Sequence, residues 1–167
     1  MDINLSGGLS FNEYLMKSTE EQRKVQKEMY EGTQLSQAAI EYVRQIEETI
    51  YVMFFSEGYC PDCVVALPFI KKLAEENNNI IVKIFSREGN KEKLEELVGT
   101  ARIPTILIFN KDMEPKGAYI EFPKKLIEKM ARLSVEEQKK VVNEYREGKY
   151  NSYIEQELID ILNTDRA

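Results

Sequence analysis

The chain is 167 residues long, 43% of them hydrophobic, with 23 basic and 29 acidic side chains and a net charge of -6. This length suits one domain with additions, and the hydrophobic residues can supply its core. No basic stretch alternates with aromatic residues, which argues against nucleic acid as a partner. Residues 1–8 have no positive region followed by an apolar segment, and no later apolar run approaches the length of a membrane span. We therefore expect a cytoplasmic protein with no membrane partner.

Three helices are predicted before the first strand. Ser10 and Glu13 have the spacing of a capping box, which predicts a short helix that begins at Ser10. Ser18 and Glu21 repeat this spacing, and the helix that follows them should end near Gly32. A third helix should pack against the sheet through an apolar face made of Leu35, Ala38, Ala39, Tyr42, Val43 and Ile46.

The middle of the chain alternates apolar runs with charged amphipathic stretches, a pattern typical of α/β folds. Strands are predicted over residues 50–55, 80–85 and 105–109, and their continuous apolar character predicts burial on both faces. Residues 117–122 are more mixed and follow the turn-like residues 110–113. This last pair of strands is therefore predicted to form an antiparallel hairpin at a sheet edge.

The C-terminal part of the chain is predicted to be helical again. The helix after Pro123 has an apolar face formed by Leu126, Ile127 and Met130. Ser134 and Glu137 have capping-box spacing, and Gly148 should stop the helix that they begin. Its predicted buried residues are Val135, Val142 and Tyr145. A final helix is predicted over roughly residues 152–162.

The only two cysteines form the motif Cys60-Pro61-Asp62-Cys63, directly after the first predicted strand. Two cysteines are too few for a secreted disulfide scaffold, and a bridge between them would close too small a loop to stabilise the fold usefully. A reactive dithiol at a strand-to-helix junction explains the pair better. Half of a zinc site and two incidental buried cysteines stay open as alternatives. A zinc site would need carboxylate ligands or a symmetric dimer, because the chain has no His and no third Cys.

A helix that begins at Cys60 would favour the thiolate form of this residue, which is the form that attacks disulfides. Free backbone N–H groups and the positive end of the helix dipole would face its sulfur. Cys60 is therefore the predicted nucleophile, and Cys63, one turn later and more buried, would resolve the mixed disulfide. Pro61 fits the first helical turn, where no N–H is needed. The charge of Asp62 would oppose ionisation of Cys60, or this residue serves only to start the helix.

A second landmark lies further along the chain. Ile103-Pro104-Thr105 opens a predicted strand and resembles the cis-proline strand of the thioredoxin family. Pro68, soon after Cys63, matches the proline that kinks the active-site helix of this family, although proline is costly inside a helix. The resemblance implies a cis bond before Pro104 and a thioredoxin-like three-layer α/β/α sandwich with a central mixed sheet of about four strands.

The resemblance also implies how the chain is organised. Residues 1–167 would form a single thioredoxin-like domain, with its core at 35–133. Additional helices would extend it at both termini, over 1–34 and 134–167. The chain shows no internal repeat, so these extensions are expected to dock on the core.

The function implied by the resemblance is that of a thiol-disulfide oxidoreductase that reduces protein or small-molecule disulfides. Cys60 and Cys63 would be its redox centre, without another cofactor and without a metal. A dithiol or reductase donor would supply electrons, and the protein would be a monomer or weak dimer. Pro104 would shape the substrate groove, and the Ile103 backbone would hydrogen-bond to an extended substrate. The full predicted set of substrate-binding residues is Tyr59, Pro61, Asp62, Ile103 and Pro104.

The chain departs from the family pattern at two positions. Tyr59 stands where thioredoxins usually carry Trp, and it would supply an aromatic lid. Phe54 stands where the family has a buried Asp that accepts the proton of the resolving cysteine, and Glu57 is the nearest acid before the motif. Phe54 and the extra helices favour an alternative function, a redox-sensing or partner-binding module with weak turnover.

Overall fold

The computed structural model describes residues 3–165, so residues 1, 2, 166 and 167 of the predicted domain lie outside it. Its helices are α1 (Phe11–Lys17), α2 (Glu20–Gly32), α3 (Gln37–Arg44), α4 (Pro61–Glu76), α5 (Lys91–Val98), α6 (Lys124–Met130), α7 (Val135–Arg146) and α8 (Asn151–Leu162). Its strands are β1 (Ile50–Ser56), β2 (Ile80–Ser86), β3 (Thr105–Phe109) and β4 (Pro115–Ile120). The predicted division of the domain at residues 35 and 134 stays a prediction. None of the helices in the described range is long and apolar enough to cross a bilayer.

The strands form one mixed sheet in the order β2-β1-β3-β4. β1 pairs with β2 in parallel and with β3 in antiparallel orientation. β3 and β4 form the predicted antiparallel hairpin at the sheet edge, although the strand predicted at 117–122 begins and ends earlier. Asn110 closes the turn between them, because its Oδ1 accepts hydrogen bonds from the backbone N–H groups of Asp112 and Glu114.

Helices cover both faces of the sheet, which gives the three-layer α/β/α arrangement. Successive residues of β1 point to opposite faces, as in any strand. Phe54 belongs to the larger hydrophobic cluster, which also contains residues of α3, α4, α7 and α8. Phe55 belongs to a second cluster that includes Leu94 of α5. The dithiol at the start of α4 therefore lies on the side of the sheet that carries the larger cluster.

The place of each strand in the sheet decides how deeply it is buried. All of β3 and nearly all of β1 are buried, as their continuous apolar runs predicted, and both are central strands. The predicted burial of residues 80–85 on both faces is wrong, because β2 lies at the edge and Ile81 is exposed. The packed helices cover the middle of the sheet more completely than its edges. An apolar run in the sequence does not indicate whether its strand lies in the middle or at an edge.

Capping side chains set the starts of the first helices. The capping box predicted at Ser10 forms at the start of α1. The box predicted at Ser18 and Glu21 is wrong by one residue, because Thr19 and Gln22 form it. Ser18 instead ends α1, since its backbone N–H and its hydroxyl both donate to carbonyls of that helix.

The predicted apolar faces of the C-terminal helices are only partly correct. In α6, Leu126 is fully buried but Ile127 is 44% exposed. In α7, the buried residues are Val141 and Tyr145, whereas Val135 is 68% exposed in the first turn. One narrow stripe of each helix, spaced at three and four residues, faces the core. Apolar residues outside this stripe remain at the surface.

A buried glutamine supports α4 at its internal proline. Pro68 lies inside α4, as predicted, and has no N–H to donate to the carbonyl of Val64 one turn earlier. Gln26 of α2 supplies the missing donor, with its Nε2 3.0 Å from the Val64 oxygen. This hydrogen bond joins α2 to the helix that carries the dithiol.

Replacing Gln26 with methionine should lower the free energy of unfolding by about 1–3 kcal/mol, because a buried carbonyl loses its donor. Denaturant-induced unfolding measures the change. In a Pro68→Ala background, residue 68 regains its backbone N–H, which can donate to the Val64 carbonyl. The loss of unfolding free energy caused by Gln26→Met should then fall below about 1 kcal/mol. An equal cost in both backgrounds would contradict this pairing.

Candidate active site

The junction between β1 and α4 positions the dithiol. The backbone N–H of Cys60 donates to the Glu57 carbonyl at 3.1 Å, and this turn leads into the helix. Cys60 is the N-cap residue of α4, and Pro61 is its first residue. The Sγ of Cys60 accepts the N–H of Cys63 at 3.2 Å. The predicted helix start is therefore confirmed, and backbone donors of the first turn face the Cys60 sulfur.

The two thiols are free, and their pKa values are shifted in opposite directions. The pKa of Cys60 lies below its ordinary value, first because the Cys63 thiol hydrogen-bonds to its sulfur and also because backbone groups of Cys63 and Asp62 do so. Burial and the Asp62 charge oppose this shift. The pKa of Cys63 lies far above its ordinary value, because the thiol is buried and because Cys60 adjoins it. The pair therefore contains one thiol that ionises readily and one that keeps its proton.

The zinc alternative concerns the same two thiols. Among residues 3–165, no three side chains of His, Cys, Asp or Glu lie close enough together to hold one ion. A tetrahedral ion bound by Cys60 and Cys63 would therefore have to take further ligands from a second molecule.

The loop before β3 lies against Cys60. The peptide bond between Ile103 and Pro104 is cis, as the family resemblance implies. The Ile103 carbonyl oxygen is 4.0 Å from the Cys60 Sγ. Pro104 is buried, and its carbonyl accepts the Glu121 N–H at 2.7 Å. The fold thus brings the predicted nucleophile and the cis-proline loop together.

The remaining predicted site residues lie around the dithiol. Tyr59 is 62% exposed, and Pro61 is exposed as well. Ile103 is half-buried. These positions leave Tyr59 and Pro61 free to contact a second molecule, but their predicted roles in substrate binding stay predictions.

An ion pair joins the motif to the C-terminal helix α7. The Nε and Nη2 of Arg146 lie 2.9 and 3.2 Å from the two carboxylate oxygens of Asp62. The Asp62 side chain is only 13% exposed, so this contact is shielded from water more than a surface pair is. Arg146 partly neutralises the charge that opposes ionisation of Cys60. The sequence did not predict this contact, because the two residues are far apart in the chain.

Replacing Arg146 with methionine should raise the pKa of Cys60 by about 0.5–1 unit, because Asp62 then acts on the sulfur with its full charge. The pH dependence of Cys60 alkylation, measured in a Cys63→Ser background, reports this pKa. Arg44→Met is the matched control, since it breaks the Arg44–Glu76 pair at the far end of α4 and should leave the Cys60 pKa unchanged. A Cys60 pKa that stays constant or falls in Arg146→Met would refute this role.

The side chains behind Cys63 differ from those that the resemblance implies. Phe54, at the position of the family's acid, is fully buried in the larger hydrophobic cluster. Ser56 lies on the same face of β1, two residues closer to the dithiol, and its side chain lowers the pKa of Cys63. The Ser56 Oγ is 2.8 Å from the phenolic oxygen of Tyr14 in α1. The backbone of Glu57 also lowers the pKa of Cys63. Sequence reasoning missed the hydroxyl pair, because neither residue belongs to a recognisable motif.

Comparisons with known proteins agree with this geometry. Residues 8–149 match the model of a family described as Thioredoxin. No curated protein matches the chain. A solved protein of unknown function from Pseudomonas aeruginosa is similar, with a TM-score of 0.79, 18% identity, and 95% of this chain and 93% of that chain covered. An HIV epitope-scaffold gives a TM-score of 0.79 at 17% identity, with 95% of this chain and 94% of that chain covered. These structures share the fold, and because the family match spans most of the sequence, the chain belongs to the thioredoxin family.

Proposed function

We propose that the protein is a thiol-disulfide oxidoreductase that acts mainly as a reductant in the cytoplasm. Its substrates would be disulfide-containing proteins or small molecules, and a dithiol or reductase donor would return it to the reduced state. The observation that supports this proposal is the difference in pKa between the two thiols. Cys60 has the lowered pKa of an attacking thiol, and Cys63 beside it keeps its proton.

In the first half of the proposed reaction, the Cys60 thiolate attacks one sulfur of the substrate disulfide. A bond forms between this sulfur and Cys60 Sγ, the substrate S–S bond breaks, and the other substrate sulfur leaves with the electron pair and takes up a proton from solvent. The backbone N–H of Cys63, 3.2 Å from Cys60 Sγ, holds the nucleophile in its anionic form before the attack.

In the second half, the Cys63 sulfur attacks the Cys60 sulfur of the mixed disulfide. The Cys60–Cys63 disulfide forms, and the second substrate sulfur leaves and is protonated, so the substrate gains two electrons and two protons overall. Ionisation of Cys63 becomes easier at this stage, because Cys60 no longer carries a negative charge. A dithiol donor then reduces the disulfide.

The substrate would bind across the exposed side of the dithiol. The Ile103 carbonyl is 4.0 Å from Cys60 Sγ, and this short distance supports a binding mode in which an extended substrate segment pairs with the Ile103 backbone. Tyr59 and Pro61 would contact the same segment, and Pro104 would set the shape of the groove beneath it. Asp62 is already paired with Arg146, so it would act on Cys60 more than on the substrate.

Reduction of insulin by a dithiol donor tests the proposal. The wild-type protein should accelerate the reaction over the donor alone, and Cys60→Ser, which keeps the size of the side chain but lacks the nucleophile, should not. Circular dichroism of both proteins controls for folding. If the wild type is no faster than Cys60→Ser with either insulin or a small aromatic disulfide, the enzymatic function fails.

A redox-sensing or partner-binding module is the second candidate. The observation that favours it is the Asp62–Arg146 pair, through which α7 contacts the motif itself. In such a protein, oxidation of the dithiol would change the surface formed by the C-terminal helices. A partner that binds only one redox state, together with the absence of turnover in the insulin assay, would favour this function.

A further inference from the structure

Two buried hydroxyl groups face Cys63 from the side away from the substrate. Ser56 is 1% exposed and Tyr14 is 9% exposed, and their oxygens are 2.8 Å apart, with either one able to donate. The Ser56 side chain lowers the pKa of Cys63, so its hydroxyl group lies close to this thiol. Tyr14 of α1, Ser56 at the end of β1 and Cys63 in the first turn of α4 therefore form one buried cluster.

Among the residues that the structure describes, no carboxylate side chain hydrogen-bonds to Cys63, although the charge of Glu57 raises the pKa of Tyr14. Phe54 fills the position that the family gives to a buried acid, and its ring can neither accept nor donate a proton. The Asp62 carboxylate forms an ion pair with Arg146. Cys60 is the ionisable side chain that raises the pKa of Cys63, and Cys63 in turn raises the pKa values of Tyr14 in α1 and Tyr145 in α7.

On the basis of the proposed function, we propose that Ser56 is a catalytic residue of the resolving step and that Tyr14 is its positioning residue. Ser56 donates a hydrogen bond to the Cys63 sulfur as this sulfur becomes a thiolate. Tyr14 donates to the Ser56 oxygen and so directs the serine proton toward the sulfur. The N-terminal helix α1 is therefore part of the redox centre.

The hydroxyl groups of Ser56 and Tyr14 can rotate, so their hydrogen bonds can change when the Cys63 thiol becomes a thiolate. While Cys63 is a thiol, its single proton is donated to the Cys60 sulfur, and Ser56 and Tyr14 hydrogen-bond to each other. When Cys63 ionises, Tyr14 donates to Ser56 and Ser56 donates to the thiolate. Burial raises the pKa of Tyr14, so the phenol keeps its proton and remains a donor. Neither hydroxyl acts as a base, and the Cys63 proton passes through solvent to the departing substrate sulfur.

The aromatic disulfide dithiobis(nitrobenzoate) separates the two half-reactions, because each releases one coloured thiolate. The first release reports attack by Cys60, and the second reports ionisation and attack by Cys63. In Ser56→Ala, the second phase at pH 7 should slow about tenfold and its pH midpoint should rise by about one unit, while the first phase changes less than about twofold. Tyr14→Phe should slow the second phase about threefold, because the serine proton loses its fixed direction.

Tyr119→Phe is the matched control. It removes one hydroxyl from the other buried pair, Tyr119–Tyr145, whose oxygens are 2.7 Å apart, and it should leave both phases unchanged. Ser56→Thr retains a hydroxyl and should restore the second phase and its pH midpoint toward the wild-type values. If Ser56→Ala does not fold, the comparison of Tyr14→Phe with Tyr119→Phe decides the question.

The outcomes separate this inference from the proposed function. The inference fails, while the proposed function stands, if Ser56→Ala leaves both phases unchanged. If Ser56→Ala does not fold, the same result in Tyr14→Phe has this meaning. Equal slowing by Tyr14→Phe and Tyr119→Phe also overturns it, because a general loss of packing would then explain both. A wild-type first phase no faster than that of Cys60→Ser overturns the proposed function and the inference with it.

Discussion

Replacing Cys63 with serine should leave the first attack intact and arrest the protein as a mixed disulfide with its substrate. Cys63 is fixed next to Cys60 and acts as an intramolecular nucleophile, whereas serine cannot attack a disulfide under these conditions. Release of the bound substrate should therefore slow at least about a hundredfold, because an external thiol must replace a group with a very high effective concentration. Non-reducing electrophoresis and mass spectrometry of a trapped insulin chain measure the arrested species.

Controls distinguish this arrest from accidental oxidation. The double variant Cys60→Ser/Cys63→Ser should trap nothing, and Cys60→Ser alone should trap little, because burial still raises the pKa of Cys63 and shields its sulfur. Trapping from cell extract would then identify the substrates, and their number would separate a general reductase from a dedicated one. Equal trapping by Cys60→Ser and Cys63→Ser would contradict the roles assigned to the two cysteines.

Restoring the family's acid with Phe54→Asp should destabilise the protein strongly. Truncation of this buried ring to alanine should cost about 3–5 kcal/mol, and aspartate should cost at least about 2 kcal/mol more at pH 7, because a charge would enter an apolar cluster. Phe54 pairs in register with Ile84 on one side and Ile106 on the other, and neither offers a polar partner. Denaturant unfolding of Phe54→Ala and Phe54→Asp measures both costs.

The pH dependence isolates the contribution of the carboxyl group. Burial would raise the pKa of an aspartate at this position above its unfolded value, so the penalty is present at neutral pH and decreases as pH falls through the raised pKa. The gap between Phe54→Asp and Phe54→Ala should therefore narrow between about pH 7 and pH 4. A gap that is absent at pH 7 would mean that polar groups already solvate this position.

Helices from both ends of the chain contact residues next to the dithiol. Tyr14 of α1 hydrogen-bonds to Ser56, which lowers the pKa of Cys63, and Arg146 of α7 pairs with Asp62 beside Cys60. In the proposed mechanism, the N-terminal extension assists the resolving step and the C-terminal extension assists the first attack. The two variants Tyr14→Phe and Arg146→Met should consequently affect different phases of the same reaction.

Local sequence determined the scaffold of the site. The apolar run of β1, the cysteine at the helix N-cap and Pro61 in the first turn all act over a few residues, so their positions follow from short-range backbone preferences. The family resemblance supplied the cis bond before Pro104 and the place of Pro68 inside α4. These features predicted the sheet, the active-site helix and the nearness of Cys60 to the cis-proline loop.

The tertiary structure alone decided what surrounds the two thiols. The contacts of Ser56 with Tyr14, of Asp62 with Arg146 and of Gln26 with Val64 each join residues from separate elements. Such pairs depend on how helices dock, and no residue of a pair indicates its partner in the sequence. The same reason explains why the burial of β2 was predicted wrongly. The sequence by itself therefore determined that a dithiol stands at a helix start, whereas tertiary packing decided which groups act on its charges and protons.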